Sequence, residues 1–274
     1  MRGKRWLTVV AVACLLALAG CGSSSSKSSS SATSSPSASS ASASSTSTSS
    51  STAASGTEAS KPPEQILSDA AAALRGAKGY VMQGSITQGG KVVNVKLSTT
   101  SPKAIDIVLG LGPATANLIG LSNSSYIRAN TTFWKSQAGP SAAKLAGRWI
   151  EVPTQDAHSV TASLGELAPA NLSRCLLENH GTLSAGGNTT VNGQPAVLVN
   201  DAGDKPGSTK SMLAVASSGT PYPLRYTATG AQRAGGHVDV CSTGKASNAR
   251  GSISFSDFGK VPPIHPPAGA VKIP

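Results

Sequence analysis

Apolar residues recur along this chain first as an unbroken run, then at helical spacing, then at every second position. After the run and a long polar tract, KPPEQILSDAAAALRGAKGY places Ile66, Leu67, Ala70, Ala71 and Leu74 three and four apart. That spacing predicts an amphipathic helix with Pro62 and Pro63 in its first turn and Gly76 as its stop. From Tyr80 the period falls to two: Val93, Val95 and Leu97 alternate with Asn94, Lys96 and Ser98. Tyr80 to Gln88 and Val92 to Thr99 therefore read as a hairpin about Gly89-Gly90, with one apolar and one polar face. Further strands are expected over Ala104 to Leu109, around Asn117 to Leu121 and over Ser125 to Ala129, with Gly-Pro and Ser-Asn turns between them.

The period changes again at TTFWKSQAGPSAAKLAGRWIEVP, where Phe133 and Trp134 fall in a short helix, Pro140 to Ala146 forms another, and Trp149 to Val152 is a brief strand. SVTASLGELAPANLSRCLLENHG predicts two short helices broken at Pro169 and stopped by Gly181, and these middle helices are expected to break up the sheet. Strand patterns resume over Thr182 to Val191, Pro195 to Asp201, Lys210 to Ala216, Leu224 to Thr229, His237 to Cys241 and Ser252 to Phe258. Asn192-Gly193 marks a two-residue hairpin, and the tail KVPPIHPPAGAVKIP is extended. The order helix, meander, helical insert, meander is that of an α+β domain. It predicts a curled antiparallel half-barrel sheet with helices packed on its concave face.

The opening run identifies a targeting segment. Arg2, Lys4 and Arg5 precede an apolar stretch of about a dozen residues that ends in small residues, the order of a secretory signal and short of the ~20 residues a membrane-spanning helix takes. Leu18-Ala19-Gly20-Cys21 resembles the bacterial lipobox, in which the cysteine thiol receives a diacylglyceryl group and the chain is cut before it. The alternative is an ordinary signal peptide with a cysteine near its end. The expected layout is a signal peptide over 1–20, a lipidated Cys21 heading a disordered Ser-rich tether over 21–60, and one folded domain over 61–274. Its expected place is the extracytoplasmic face of the cell membrane, held by acyl chains, two or more of which suffice for stable attachment. The tether cannot bury enough surface to order itself, and about 40 flexible residues have an r.m.s. span of roughly 35 Å.

Charge adds little to this picture. Losing Arg2, Lys4 and Arg5 takes the formal net charge from +11 to +8, and the remaining Lys and Arg are scattered without a run. With aromatics at 4%, the clustered basic and stacking surface of a nucleic-acid binder is missing. A mild positive balance suits proximity to anionic headgroups or simple solubility.

The segments ILSDAAAALRGAKGY, SYIRANTTFWKS, LAGRWIEVP, VNGQPAVLVND, GTPYPLRY and ISFSDFG, in this order, resemble the LppX/LprAFG-type lipoproteins and, more remotely, the LolA-like carriers. The resemblance spans Lys61 to Pro274. It implies a half-open barrel with an apolar cavity under its helices that takes lipid or acyl chains, and a non-catalytic role in moving amphiphiles outside the membrane. On that model Ile66, Leu67, Leu74, Leu164, Leu167, Leu172 and Leu176 face the concavity, either as ordinary core or as ligand wall. The alternative function is an envelope scaffold or protein-binding module of the same fold without a lipid cavity. Ligand identity and oligomeric state are left open.

No signature of catalysis is present. Gly-x-Ser-x-Gly, His-Glu-x-x-His and a phosphate-binding Gly loop are all missing; GLSNSS comes near the first but has Ser124 where Gly is required. No cofactor is expected. Cys175, His180, His237 and Cys241 could supply two Cys and two His to a metal, and a strand would put His237, Asp239 and Cys241 on one face. However, His180 lies five residues beyond Cys175, not the three or four that one helical face requires. A Cys175–Cys241 disulfide is the preferred reading in an oxidising compartment, closing a loop of about 65 residues worth roughly 3–4 kcal/mol on the entropic account. Two free buried thiols remain the other alternative, and no metal is expected. Phe133 and Trp134 are expected as core anchors, with a cavity rim or membrane-contact tip as the other possibility. The Asn-x-Ser/Thr triplets at Asn123, Asn130, Asn171 and Asn188 are expected as turn and cap residues.

Overall fold

The computed structural model describes residues 58–101, 104–153, 167–236 and 247–272. The signal segment, Cys21, nearly all of the tether, Leu164, and the strand expected over His237 to Cys241 lie outside these residues. Three α-helices and twelve strands are described: α1 (Pro63–Gly76), β1 (Tyr80–Gln88), β2 (Lys91–Ser101), β3 (Ala104–Leu111), β4 (Ala114–Gly120), β5 (Ser125–Ala129), α2 (Thr131–Ala138), β6 (Ile150–Glu151), α3 (Pro169–Glu178), β7 (Leu183–Val191), β8 (Gln194–Asp201), β9 (Thr209–Ala216), β10 (Pro223–Gln232), β11 (Arg250–Ser256) and β12 (Val271–Lys272). A 3-10 turn at Pro140–Leu145 follows α2.

All twelve strands belong to one sheet in the order β12-β6-β5-β4-β3-β2-β1-β11-β10-β9-β8-β7. Its two ends, β12 and β7, do not pair, so the curled sheet stays open as a half-barrel with helices on its apolar side. Every pairing is antiparallel except the two-residue contact of β12 with β6. The helical insert does not break up the sheet as the sequence suggested. It carries the chain from β6 to the far edge, from which β7 to β11 return until β11 docks on β1 through seven residue pairs. The reason is hydrogen bonding: the side of β1 away from β2 would otherwise present an unpaired row of N–H and C=O groups in the middle of a buried apolar face.

That central seam requires two glycines. A Cβ on Gly84 would lie 2.0 Å from the Ser252 carbonyl oxygen, and one on Gly251 would lie 2.1 Å from that of Ser85. Each glycine thus clears the other strand's backbone, the close approach that glycine inside a strand commonly marks. Elsewhere local sequence sets the turns as expected: Asn192 and Gly193 take φ of 50° and 80°, the two positive values of a type I′ hairpin.

Alternation then sorts the side chains. Met82, Leu97, Ile107 and Leu118 point to one face and are buried with Leu74 of α1 and with Phe133 and Trp134 of α2. Ile66, Leu67 and Ala70 of α1 cover the second half of the same face, against Val197, Val199, Leu213 and Val215. The edges are blunt. β12 is two residues long, and β7 is largely polar with an irregularity between Ala185 and Gly187.

Adding a methyl group at the seam tests its role. Gly84→Ala or Gly251→Ala is expected to cost about 2–3 kcal/mol, a fall of roughly 5–10 °C in Tm for a domain of this size. Gly90→Ala, whose Cβ would meet nothing within 4 Å, is expected to cost about 1 kcal/mol through its turn conformation alone. Thermal melts showing the three variants alike would refute the seam assignment.

Candidate functional site

The helix-covered face is assembled from both ends of the chain. Pro62 caps α1 with Pro63 at its first helical position, a placement that suits a residue without an N–H. Just before it Lys61 Nζ donates to Glu58 Oε1 at 2.6 Å and to Asp69 Oδ2 at 2.7 Å. These bonds raise the Lys61 pKa, that to Asp69 contributing most. The clamp fixes the direction from which the chain enters the domain.

α3 lies against α1. Arg75 Nε donates to Ser173 Oγ at 3.3 Å, and the Ser173 hydroxyl in turn donates to Ala170 O at 2.7 Å. Tyr80, fully buried, donates its hydroxyl to the Leu167 carbonyl, tying the residue that precedes α3 to the first strand. Burial pushes this phenol well above its ordinary value, so it stays a donor at any working pH. Phe255 and Phe258 surround its ring at 5.9 and 6.3 Å, and Phe258 stacks on Tyr222 at 3.9 Å.

The residues expected under the helices divide into two groups. Ile66, Leu67 and Leu74 are 1%, 5% and 0% exposed and serve as packed core. Leu172 and Leu176 of α3, and Leu167 just before it, are half-buried and lean on that core, with Leu176 touching both halves of it. Leu164 is outside the described residues. Phe133 and Trp134 are core anchors, meeting edge to face at 5.6 Å. Among the Asn triplets, Asn130 caps α2 by accepting from Phe133 N at 2.9 Å, and Asn123 lies in a bend. Asn171 sits in the first turn of α3 and Asn188 within β7, so these two are neither turn nor cap, contrary to expectation.

No cysteine pair is complete among the described residues. Cys175 is half-buried on α3, while Cys241 lies outside the described residues, as do His158 and His237. Among the described residues, no three His, Cys, Asp or Glu side chains converge as a metal site. His180 turns Nδ1 to the neighbouring Gly181 carbonyl at 2.8 Å.

Two aspartates fasten the chain beyond α3. Asp201 Oδ1 accepts from Gly181 N at 3.0 Å and Gly203 N at 2.7 Å, and Asp204 accepts from both the N–H and the hydroxyl of Thr182. The carboxylates press so close that a Cβ on Gly181 would lie 2.3 Å from Asp204 Oδ1. Burial raises the Asp201 carboxyl above its ordinary value, opposed by its two backbone donors and by His180. The hydrogen bonds of exposed Asp204 lower its pKa.

The opposite face carries an arrangement that no sequence window displays. A shallow groove of about 660 Å³ is lined by Gln83, Ser85, Asn94, Lys96, Thr115, Arg225 and Ser252, among others. Strand register aligns one row across it, Arg225, Ser254, Gln83, Lys96 and Val108, which continues past the groove through Asn117 to Arg128. Beside it runs a second row of Thr227, Ser252, Ser85, Asn94, Gly110 and Thr115. The only local signal was the polar member of each alternating pair; knowing which strands are neighbours was the missing information.

No family model and no curated protein matches this chain. Among solved structures, it is similar to lipoprotein LppX of Mycobacterium tuberculosis, with 10% identity over 74% of this chain and 98% of that one and a TM-score of 0.45. It is similar to LprF of Mycobacterium bovis, with 14% identity, 78% and 100% coverage and a TM-score of 0.47. A third likeness is to MucB, with 13% identity, 76% and 63% coverage and a TM-score of 0.39. At such identities and superpositions, these likenesses carry no inference about what this chain binds.

The Asp201 clasp has a pH signature. Because its folded pKa is raised, its contribution to stability is fullest below 3.8 and is lost as pH rises through the folded value. Asp201→Asn keeps the acceptor oxygen and removes the charge. Its stability relative to the wild type is therefore expected to increase as pH goes from about 4 to about 7 in denaturant titrations. A difference that does not change with pH would contradict this account.

Proposed function

We propose that this protein is a non-catalytic, lipid-anchored protein of the outer membrane face, in the sense of the extracytoplasmic side of the cell membrane, that receives an acyl chain or similar amphiphile under its helices. Cys21 is the lipidated residue and 21–60 the tether, which lets the domain over 61–274 move off the membrane without leaving it. No described helix is long and apolar enough to cross a membrane, which is compatible with a covalent anchor. The observation that carries the ligand reading is the construction of α3. Its leucines Leu172 and Leu176, with Leu167 just before it, are half-buried against the apolar face of an open sheet. These half-buried apolar contacts are the part of α3 that an acyl chain can replace, while the helix stays fastened at its start through Tyr80 and beyond its end through the Asp201 and Asp204 clasp.

The full burial of Ile66, Leu67 and Leu74 favours a second reading, in which the concavity is filled and the fold serves as a scaffold for a protein partner. Full-length protein carrying Cys21→Ser, extracted with organic solvent, separates the two. Mass spectrometry is expected to find an amphiphile near one per protein, and Leu172→Trp or Leu176→Trp to lower that yield several-fold. Absence of amphiphile, together with crosslinked partners that both Trp variants retain, would establish the scaffold instead.

We also propose that Cys241 is the partner of Cys175, as supported by the engagement of the Cys175 sulfur. Alkylation without reductant is expected to label neither residue, and reduction to expose both. Cys175→Ser is expected to cost about 3–4 kcal/mol. Labelling of Cys241 in the unreduced protein would rule the pair out.

A further inference from the structure

The groove on the polar face is independent of the helix-covered side and is furnished for a different kind of molecule. Three cations, Arg225, Lys96 and Arg128, stand in its first row on β10, β2 and β5. None of them makes a salt bridge among the described residues. Neither row contains a carboxylate. The neighbouring acid, Asp106, is half-buried with its Oδ1 turned in and without a hydrogen-bond partner. Asp106 feels the charges of Arg128 and Lys96, so on this face one acid stands against three cations.

Between the cations lie neutral donors and acceptors. The second row supplies Thr227 and Ser252, whose hydroxyls meet at 3.1 Å, followed by Ser85, Asn94 and Thr115. Their hydroxyl and amide groups stand on an exposed or half-exposed sheet face. From β10 to β5 there are six inter-strand steps of about 4.8 Å, or roughly 29 Å measured along the sheet. At the β5 end Arg128 lies 4.8 Å from the ring centroid of Trp149, a half-buried indole.

We propose that this groove binds an acidic polysaccharide laid across the strands. Hydroxyl and amide side chains match the hydroxyls of sugar rings, the spaced cations match acid groups recurring along a polymer, and the Trp149 edge offers an apolar surface for a ring face. Every strand at the groove is paired on both sides, so no free backbone edge is available for an extended peptide to join. A lipid surface, which is flat, would bridge a recessed groove rather than fill it. Nucleic acid would call for stacking aromatics repeated along the track, whereas none lines the groove itself and Trp149 stands only at its β5 end.

The test uses full-length protein with Cys21→Ser, and polygalacturonate as the probe, neutral dextran as the uncharged comparison and phosphatidylglycerol vesicles as the competing anionic surface. Binding to polygalacturonate that weakens with salt, with none to dextran, is the expected result. The combined variant Lys96→Gln, Arg128→Gln, Arg225→Gln is expected to lose at least tenfold in affinity, whereas Lys91→Gln, Lys205→Gln, Lys260→Gln, which removes equal charge elsewhere, loses less than twofold. Thr115→Trp fills the groove without changing charge and is expected to weaken binding about tenfold. Asp106→Asn, which removes the nearest acid, is expected to strengthen it, a gain that misfolding cannot mimic. Equal losses in the two triple variants, or vesicles bound more tightly than polygalacturonate, would overturn the proposal. So would failure to bind polygalacturonate at low salt. None of these outcomes touches the amphiphile reading, whose residues lie on the other face.

Discussion

The pairing of β1 with β11 joins two meanders that the chain builds far apart in sequence, and the rest of the domain is arranged around it. Without it the first five strands and the last five would each expose an edge, and each would carry only half of an apolar face. With it, one face runs from β5 to β8, wide enough for α1 and α3 to lie on together. Gly84 and Gly251 ease the pairing by keeping each strand clear of the other's carbonyls, so a hydrogen in place of a methyl group at each position keeps the two halves closely joined.

Once the sheet is continuous, strand alternation divides the labour between its faces. The side under the helices is apolar and closed over by Tyr80, Phe255 and the α1 stripe. The other side is polar, and its basic residues come from β10, β2 and β5. An amphiphile and a hydrophilic polymer could occupy the two sides at once, since no side chain is shared between them. The Asp201 and Asp204 clasp belongs to the first side, because it holds the chain where it leaves α3 for the edge strand β7.

Local chemistry foretold much of this fold. The three-and-four spacing of Ile66, Ala70 and Leu74 gave α1, the alternation from Val93 to Leu97 gave β2, and Asn192-Gly193 gave its hairpin, because each is a matter of neighbours within a few residues. The start of β4 at Ala114 rather than near Asn117 follows from the tight Gly112-Pro113 turn, which leaves no room for a longer connection. What sequence could not display was the adjacency of β1 and β11, nor the convergence of Lys96, Arg128 and Arg225. The first, and the arrival of Arg225 in line with the other two, depend on β1 pairing with β11, whose partners stand 163 to 175 residues apart in the chain and share no local period. The separation of Ile66, Leu67 and Leu74 from the half-buried leucines of α3 was equally hidden, since a periodic stripe says which way a residue points and not how tightly it is covered.

The blunt edges bear on how copies of this protein behave side by side. A sheet of twelve strands has only two places where another could attach, and one of them is two residues long while the other is polar and irregular. Molecules confined to one surface meet far more often than molecules in free solution, and strand-to-strand growth into fibres is the hazard of such crowding. This domain is shaped so that frequent encounters do not propagate, and a densely populated surface can remain a collection of separate molecules.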